Sequence, residues 1–281
     1  MNKSVLIIGG AGFFGQSLFE VFQKSGAFNL LVCGDIVNPS YEGIVYENLD
    51  LLNADNVYET IAKYDIIVNC AGQITNPINS CLRLNTEGVQ NIVNAIKGTK
   101  KKLIQISTVV VYGSAEYADE DSILNPETPY SAAKAFAEFL IQTNLSTQNY
   151  CIVRISNLYG NRQTKGIFNY LFKSFESDKK LEFNNNGELV RYYLHVKDAA
   201  SIIFEITFKN ISGRFNLLGK DQFTVKKLVE LFEEVKACKF LTSYENSSPY
   251  DNCKTISELK IEKVIPHQYI FNVRNYIREK I

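Results

Sequence analysis

Short continuous apolar runs alternate with longer amphipathic stretches along the first two thirds of the chain. The short runs fall at residues 5–8, 30–33, 43–47, 66–69, 103–107 and 151–155. An apolar run without polar alternation predicts a strand covered on both faces. Residues 14–24, 54–63, 77–96 and 129–147 lie between these runs, carry apolar positions at helical spacing, and predict helices. Buried strands alternating with helices give a parallel sheet, and right-handed crossovers make it an α/β, doubly wound sheet of the Rossmann type. Beyond Gly160 the pattern loosens. The cluster Asn184-Asn185-Asn186-Gly187 reads as a turn. Asp198 is expected to cap a helix over 199–208, with a strand at 214–218, a helix at 224–235 and a last helix in the tail 269–281. The expected division is a Rossmann domain over 1–160, to which 191–219 return, and a small C-terminal substrate lobe of 161–190 and 220–281.

Composition narrows the function. Thirty basic and thirty acidic residues cancel, which leaves no field to attract nucleic acid or an anionic membrane. No stretch approaches the ~20 apolar residues of a membrane span, and the first apolar run is too short for a signal peptide. The six cysteines (33, 70, 81, 151, 238 and 253) form no C-x-x-C pair, and only two histidines could join them. No metal site is expected, and scattered cysteines read as reduced residues of a cytoplasmic protein.

The chemistry begins directly after the first strand. GGAGFFG (9–15) places Gly9, Gly12 and Gly15 at G-x-x-G-x-x-G spacing and opens a helix. Such glycines let the backbone approach a pyrophosphate, which the free N–H groups of the helix N-terminus then face. Asp35 follows Gly15 by twenty residues, at the end of the second strand. A carboxylate there accepts from a ribose and repels a 2′-phosphate, so NAD is expected over NADP. Asp50 and Leu51, after the third strand, are placed beside the adenine.

A second motif opens a later helix. YSAAK (130–134) sets Tyr130 and Lys134 at i and i+4, on one helix face. Free tyrosine titrates near ~10, and a nearby cation lowers that value toward a usable base. Thr108 ends the strand 103–107, where ligands meet a parallel sheet, and can orient the reacting oxygen. Thr108, Tyr130 and Lys134 are thus the expected catalytic set.

Together these residues resemble the extended short-chain dehydrogenase/reductase superfamily, and within it the NAD-dependent epimerase/dehydratase family of nucleotide-sugar enzymes. The resemblance runs to about Gly219. It makes Gly9, Gly12, Phe13, Phe14, Gly15, Asp35, Asp50, Leu51, Cys70, Ala71, Gly72, Asn85, Tyr130 and Lys134 cofactor-binding. Phe13 and Phe14 also fall at helical spacing with Phe19 and Phe22, as core residues do. The segment 154–160 is similar to the R-x-x-N-x-Y-G strand, which puts Asn157 near the substrate. RYYLHVKD (191–198) is similar to a segment whose arginine, here Arg191, binds the nucleotide. The resemblance also implies a homodimer through two helices per subunit, with Phe136, Phe139 and Leu140 available to it. The implied setting is nucleotide-sugar metabolism serving polysaccharide synthesis.

The departures matter as much. Family dehydratases and decarboxylases carry acidic residues after the catalytic threonine, where this chain has Val109 and Val110. Hydride transfer at sugar C4 without dehydration is therefore expected, in an epimerase or oxidoreductase. A later arginine of the family is missing before Asp251, which leaves Arg191 to hold the pyrophosphate, helped by Lys165 or Lys254. His195 is expected to be structural, and His267 has no role. Three alternatives remain: a reductase of nucleotide 4-keto-6-deoxysugars using NAD(P)H, a short-chain enzyme acting on a non-sugar, and a non-catalytic dinucleotide sensor. The intact Thr108, Tyr130 and Lys134 set argues against the sensor.

Overall fold

The computed structural model describes residues 3–39, 43–72 and 77–280. In chain order the elements are β1 (Ser4–Ile8), α1 (Phe13–Ser25), β2 (Leu30–Asp35), β3 (Tyr46–Asn48), α2 (Ala54–Ala62), β4 (Ile66–Asn69), α3 (Ile78–Arg83), α4 (Val89–Ile96), β5 (Lys102–Thr108), β6 (Tyr117–Ala118), α5 (Pro129–Asn144), β7 (Tyr150–Ile155), β8 (Asn157–Tyr159), α6 (Ile167–Glu176), β9 (Lys180–Phe183), β10 (Val190–His195), α7 (Val196–Phe208), β11 (Gly213–Leu217), β12 (Asp221–Thr224), α8 (Val225–Lys236), β13 (Leu241–Tyr244), β14 (Thr255–Ile256), α9 (Leu259–Val264) and α10 (Val273–Glu279).

The main sheet has seven strands in the order β11-β7-β5-β4-β1-β2-β3. Every neighbouring pair in it is parallel. The continuous apolar run of β1 follows from its central place. Val5 and Ile7 enter one core, with Phe14, Leu18, Phe19 and Phe22 of α1 and Ala199 and Ile203 of α7. Leu6 and Ile8 enter the other, with Ile61 of α2, Ile92 of α4 and Ile141 of α5. Successive side chains of a strand face opposite ways, so a strand between two helix layers buries both sets and favours a continuous apolar run. Chain order reverses between β1 and β4, and a ligand crevice opens at such a switch point.

A third core gathers Phe168, Leu171 and Phe172 of α6, Leu228 and Phe232 of α8, and Tyr276 of α10. Over it lie the small sheets β12-β10-β8 and β13-β9.

Several elements differ from the sequence expectations. The strand expected at 43–47 is a shorter one at Tyr46–Asn48, preceded by the Val45 carbonyl accepting from the Cys33 N–H. The helix expected over 77–96 is two helices joined by a π turn at Leu84–Gly88, where the buried Asn85 side chain turns inward. Asp198 is not a cap. His195 caps α7 through Nδ1, while the Asp198 carboxylate accepts from the N–H groups of Ile270 and Phe271. That use of the chain at 270–271 also delays the tail helix, which starts at Val273 with Asn272 as its cap.

Candidate active site

A cavity of about 1100 Å³ lies at the C-terminal ends of β1, β2, β4, β5 and β7. The side formed by the glycine loop carries Gly9, Gly12, Gly15, Gly34 and Gly72 among mostly apolar residues. Gly9 has φ +78°. A Cβ on Gly15 would fall 2.1 Å from the Gly9 carbonyl oxygen, so the loop closes only because Gly15 has none. The N-cap of α1 is Gly12, with no side-chain cap and no acidic residue in the first turn. The first-turn N–H groups there have no intrahelical acceptors, and negative charge is welcome beside them.

Asp35 closes β2 and lines the cavity. Its Oδ2 accepts from the Ala11 N–H at 3.1 Å and its Oδ1 from the Val37 N–H at 3.2 Å, which leaves each oxygen a further lone pair. Asp50 lines the same end beside Leu51, and its Oδ1 accepts from the Leu52 N–H at 2.9 Å. Cys70, Ala71 and Gly72 form the opposite wall. The Cys70 thiol donates to the Ile8 carbonyl at 2.8 Å, and burial raises its pKa, so it stays protonated. Phe13 and Phe14 line the cavity, and Phe14 belongs to the core as well.

Asn85 is not on the cavity wall. It lies behind Gly72, and its Nδ2 donates to the carbonyls of Gly72 and Cys81 at 2.9 Å each. Among the described residues its buried Oδ1 has no hydrogen-bond partner. A Cβ on Gly72 would fall 2.7 Å from that Oδ1, so this side chain braces the wall from behind.

Thr108 ends β5 and faces the cavity, with Oγ1 accepting from the Val110 N–H at 3.4 Å. Tyr130 lines the cavity from the first turn of α5. That turn is firmly set. Thr128 caps it, Pro129 occupies its first helical position, and Thr128 and Ser131 form a reciprocal capping pair. Lys134 sits one turn further on, completely buried, with Nζ donating to the carbonyls of Ala71 and Ile106 at 3.3 Å each. Burial pushes its pKa down to about 8. The ammonium is thus held between the Ala71 wall and the strand that ends in Thr108. Val109 is buried in a small apolar cluster, and Val110 lines the cavity with no proton to exchange.

The opposite side is made of side chains from the loosely patterned half of the sequence. Asn157, Gln163, Thr164, Lys165, Arg191, Tyr193, Tyr250 and Asp251 line it. Arg191 Nη1 donates to the carbonyls of Val190 (2.8 Å) and Asp251 (3.0 Å). Burial lowers its pKa against the smaller opposing pull of Tyr193 and Asp251. Lys165 lines the cavity, whereas Lys254 is not among its lining residues and pairs with Glu116 at 2.7 Å. Asp251 reaches across to the start of α5. Its Oδ1 accepts from the Glu127 N–H at 2.8 Å and its Oδ2 from the Thr128 hydroxyl at 2.6 Å. His195 is buried, stacks on Phe271 at 3.8 Å, and has its pKa lowered to about 4 by burial and then Lys197. It is neutral at physiological pH and structural.

Sequence reasoning did not find Thr128, Gln163, Thr164, Tyr193, Tyr250 or Asp251. Only Thr128 left a local signal, as a hydroxyl cap ahead of Pro129.

The chain belongs to the NAD dependent epimerase/dehydratase family, which it matches over residues 5–217. It is 28% identical over 258 residues to the dTDP-D-glucose 4,6-dehydratase of Dictyostelium discoideum, an alignment covering 78% of this chain and 58% of that protein. It is 25% identical over 261 residues to UDP-glucuronic acid decarboxylase 1 of Danio rerio, covering 85% and 62%. The chain therefore spans less than two thirds of the length of these curated relatives. Its fold is also that of the UDP-glucuronic acid 4-epimerase from Bacillus cereus, solved with UDP-glucuronic acid and NAD, at a TM-score of 0.84, 22% identity and coverage of 98% and 96%.

Proposed function

We propose that this chain is an NAD-dependent nucleotide-sugar epimerase or oxidoreductase acting at C4 of the sugar. One observation carries the reading: Thr108 and Tyr130 open onto the same cavity as the glycine loop, with Lys134 buried directly behind them. The residues fit NAD. The Gly9–Gly15 cradle admits a pyrophosphate where any Cβ on Gly15 would collide, and Asp35 has lone pairs for ribose hydroxyls. NAD supplies a hydride acceptor and donor when bound. Tyr130 takes the proton of the C4 hydroxyl and returns it on reduction. Lys134 holds positive charge behind Tyr130 and offers its remaining donor to the nicotinamide ribose. Thr108 orients the reacting oxygen. Asn157 faces the sugar, and Arg191, aided by Lys165, takes the nucleotide pyrophosphate.

Val109 and Val110 speak against dehydration or decarboxylation, whatever the relatives do, because neither can move a proton. Residues 1–160 with 191–219 form the cofactor domain in this reading, and 161–190 with 220–281 the substrate lobe. Phe136 and Phe139 stack on each other at 6.3 Å on α5 and are 44% and 58% exposed, which suits a homodimer formed by the helices around α5. Leu140 is already buried within the chain. Six free cysteines suit the cytoplasm, and a place in polysaccharide synthesis would follow from the substrate class.

The test is turnover of UDP-, GDP-, CDP- and dTDP-sugars by the purified protein. Tyr130→Phe should lower kcat by ~10²–10⁴-fold. Thermal stabilisation by none of these sugars removes the nucleotide-sugar reading, and undiminished turnover in Tyr130→Phe removes the acid/base assignment. Turnover without added cofactor marks an epimerase; stoichiometric consumption of NADH marks a reductase.

A further inference from the structure

Beneath the catalytic residues lies a buried charged cluster that the chemistry above does not use. Glu138 follows Lys134 by one helical turn on α5 and is completely buried. Arg154 of β7 is 1% exposed and grips it, with Nε donating to Oε1 at 3.1 Å and Oε2 at 3.0 Å, and Nη2 to Oε2 at 2.6 Å. Ser107, next to Thr108 on β5, donates its hydroxyl to Glu138 Oε1 at 2.5 Å. Arg154 Nη1 donates to the Tyr112 hydroxyl at 2.8 Å, and that hydroxyl donates to Asn216 Oδ1 of β11 at 2.6 Å.

Stability is a weak reason for such a cluster. Removing two charges from water can cost more than their attraction returns, and a well-packed apolar pair often does as well. Position is a better reason. The Glu138 carboxylate joins three elements at one point: α5, which carries Tyr130 and Lys134; β5, which ends in Thr108; and β7, which leads to Asn157. A carboxylate with this many donors has one geometry, whereas an apolar contact would tolerate sliding of α5 along the sheet.

We propose that Glu138, held by Arg154 and Ser107, is a positioning residue for hydride transfer: it fixes the register of α5 on β5 and supplies the negative charge that faces Lys134. The proposal rests on the acid/base reading of Tyr130 and Lys134. Among the described residues, the groups with an electrostatic effect on the Lys134 proton are Cys70 beyond β4, Cys81 of α3 and Glu138, and Tyr130 stands one turn before it on α5. Burial raises both thiols, so neither is an anion at neutral pH. Glu138 is then the carboxylate that opposes the loss of the Lys134 proton. Without it the lysine should discharge at still lower pH, and the basic limb of the kcat–pH profile should move down with it.

The experiment compares wild type, Glu138→Gln, Glu138→Asp and the double variant Glu138→Leu/Arg154→Met in the full chain. Four quantities are read: Tm, NAD affinity, kcat and KM across pH, and the titration of Lys134 by NMR of ¹³Cε-lysine, assigned with Lys134→Met. The expected result is a double variant that melts near wild type yet loses ~10–100-fold in kcat with little change in KM. In Glu138→Gln, which leaves the Arg154 charge in place, the Lys134 titration and the basic limb should both lie at lower pH, and Glu138→Asp should recover part of the rate. A stable double variant with wild-type kcat, or an unmoved Lys134 titration in Glu138→Gln, overturns the proposal. Should the double variant not fold, Glu138→Gln takes its place, since an unchanged Lys134 titration in it is equally fatal. The NMR titration needs no substrate, so failure of the nucleotide-sugar reading would show separately, as an inactive wild type.

Discussion

The glycine-loop side of the cavity, proposed for the cofactor, is lined by glycines and apolar residues, and the facing side, proposed for the substrate, carries the longer polar and charged side chains. On the first side Gly9, Gly12 and Gly15 act through what they lack, and among the described residues the charged side chains are the carboxylates Asp35 and Asp50. On the second side Arg191, Lys165, Asn157 and Tyr250 project from three separate stretches of chain. A backbone cradle has one shape and admits one kind of ligand. A wall of side chains can be changed residue by residue without disturbing the sheet. A family that keeps its cofactor and varies its sugar is expected to divide the labour in this way.

The comparison breaks most sharply at Gly15. In Gly15→Val the first side-chain carbon would meet the Gly9 carbonyl at 2.1 Å, a clash with backbone that no rotamer relieves. A cost of at least ~3 kcal/mol is expected, as lost NAD affinity of ~100-fold or more or as outright unfolding. Calorimetric titration with NAD and a thermal melt check it. Near-normal NAD binding would mean that the loop is not a fixed cradle.

Lys134 comes next, because it lies fully buried behind the residues that line the cavity. Its pKa falls from 10.5 to about 8 through burial. Between these values the unfolded chain holds a proton that the folded chain does not, so this group's contribution to stability rises with pH across about 8 to 10.5. Below pH 8 the protein carries the full cost of a buried ammonium, roughly 3 kcal/mol for a shift of this size. Apo Lys134→Met should therefore melt higher than wild type at pH 7, by roughly 5–10 °C. The gap should close toward pH 10.5, while turnover is lost. A Tm difference independent of pH would contradict the burial argument.

Arg191→Met tests the other wall. Loss of a charge-assisted hydrogen bond to phosphate costs roughly 1.5–3 kcal/mol, so KM for the nucleotide sugar should rise ~10–100-fold. NAD affinity should stay unchanged, because Arg191 lies on the substrate wall. If NAD weakens as much as the sugar, the two sides are not separate.

The same contrast explains what the sequence could show. Gly9 to Gly15 and Tyr130 to Lys134 act over a few residues of one loop or one helix turn, so spacing alone reveals them. β1 was legible because it is buried on both faces and reads as a continuous apolar run. Asp251 was not, since its partners Glu127 and Thr128 are 124 and 123 residues away. Arg154 and Glu138 sit in readable elements, yet nothing local says that one faces the other. Asp198 misled for a related reason. It stands where a cap would stand, but the distant segment at Ile270 and Phe271 takes its carboxylate, and α7 starts earlier, at Val196, under His195. The π turn at Leu84–Gly88 was likewise hidden within the helical spacing of 77–96.

Asp251 is where the two walls touch, and it yields the smallest expected effect. It is a buried non-glycine residue with φ +50°, a conformation that asparagine also tolerates. Asp251→Asn therefore keeps the backbone, and with it the Asp251 carbonyl that holds Arg191. It also keeps an acceptor for the Glu127 N–H. What it loses is the charged acceptor of the Thr128 hydroxyl, whose own oxygen caps the turn carrying Tyr130. Replacing a charge-assisted bond by a neutral one is worth about 1 kcal/mol. A fall in kcat of ~3–10-fold is expected, with KM for the nucleotide sugar nearly unchanged and NAD affinity untouched. A rise in KM with kcat unchanged would instead place Asp251 with Arg191 on the substrate wall, and the link across the cavity to α5 would be structural only.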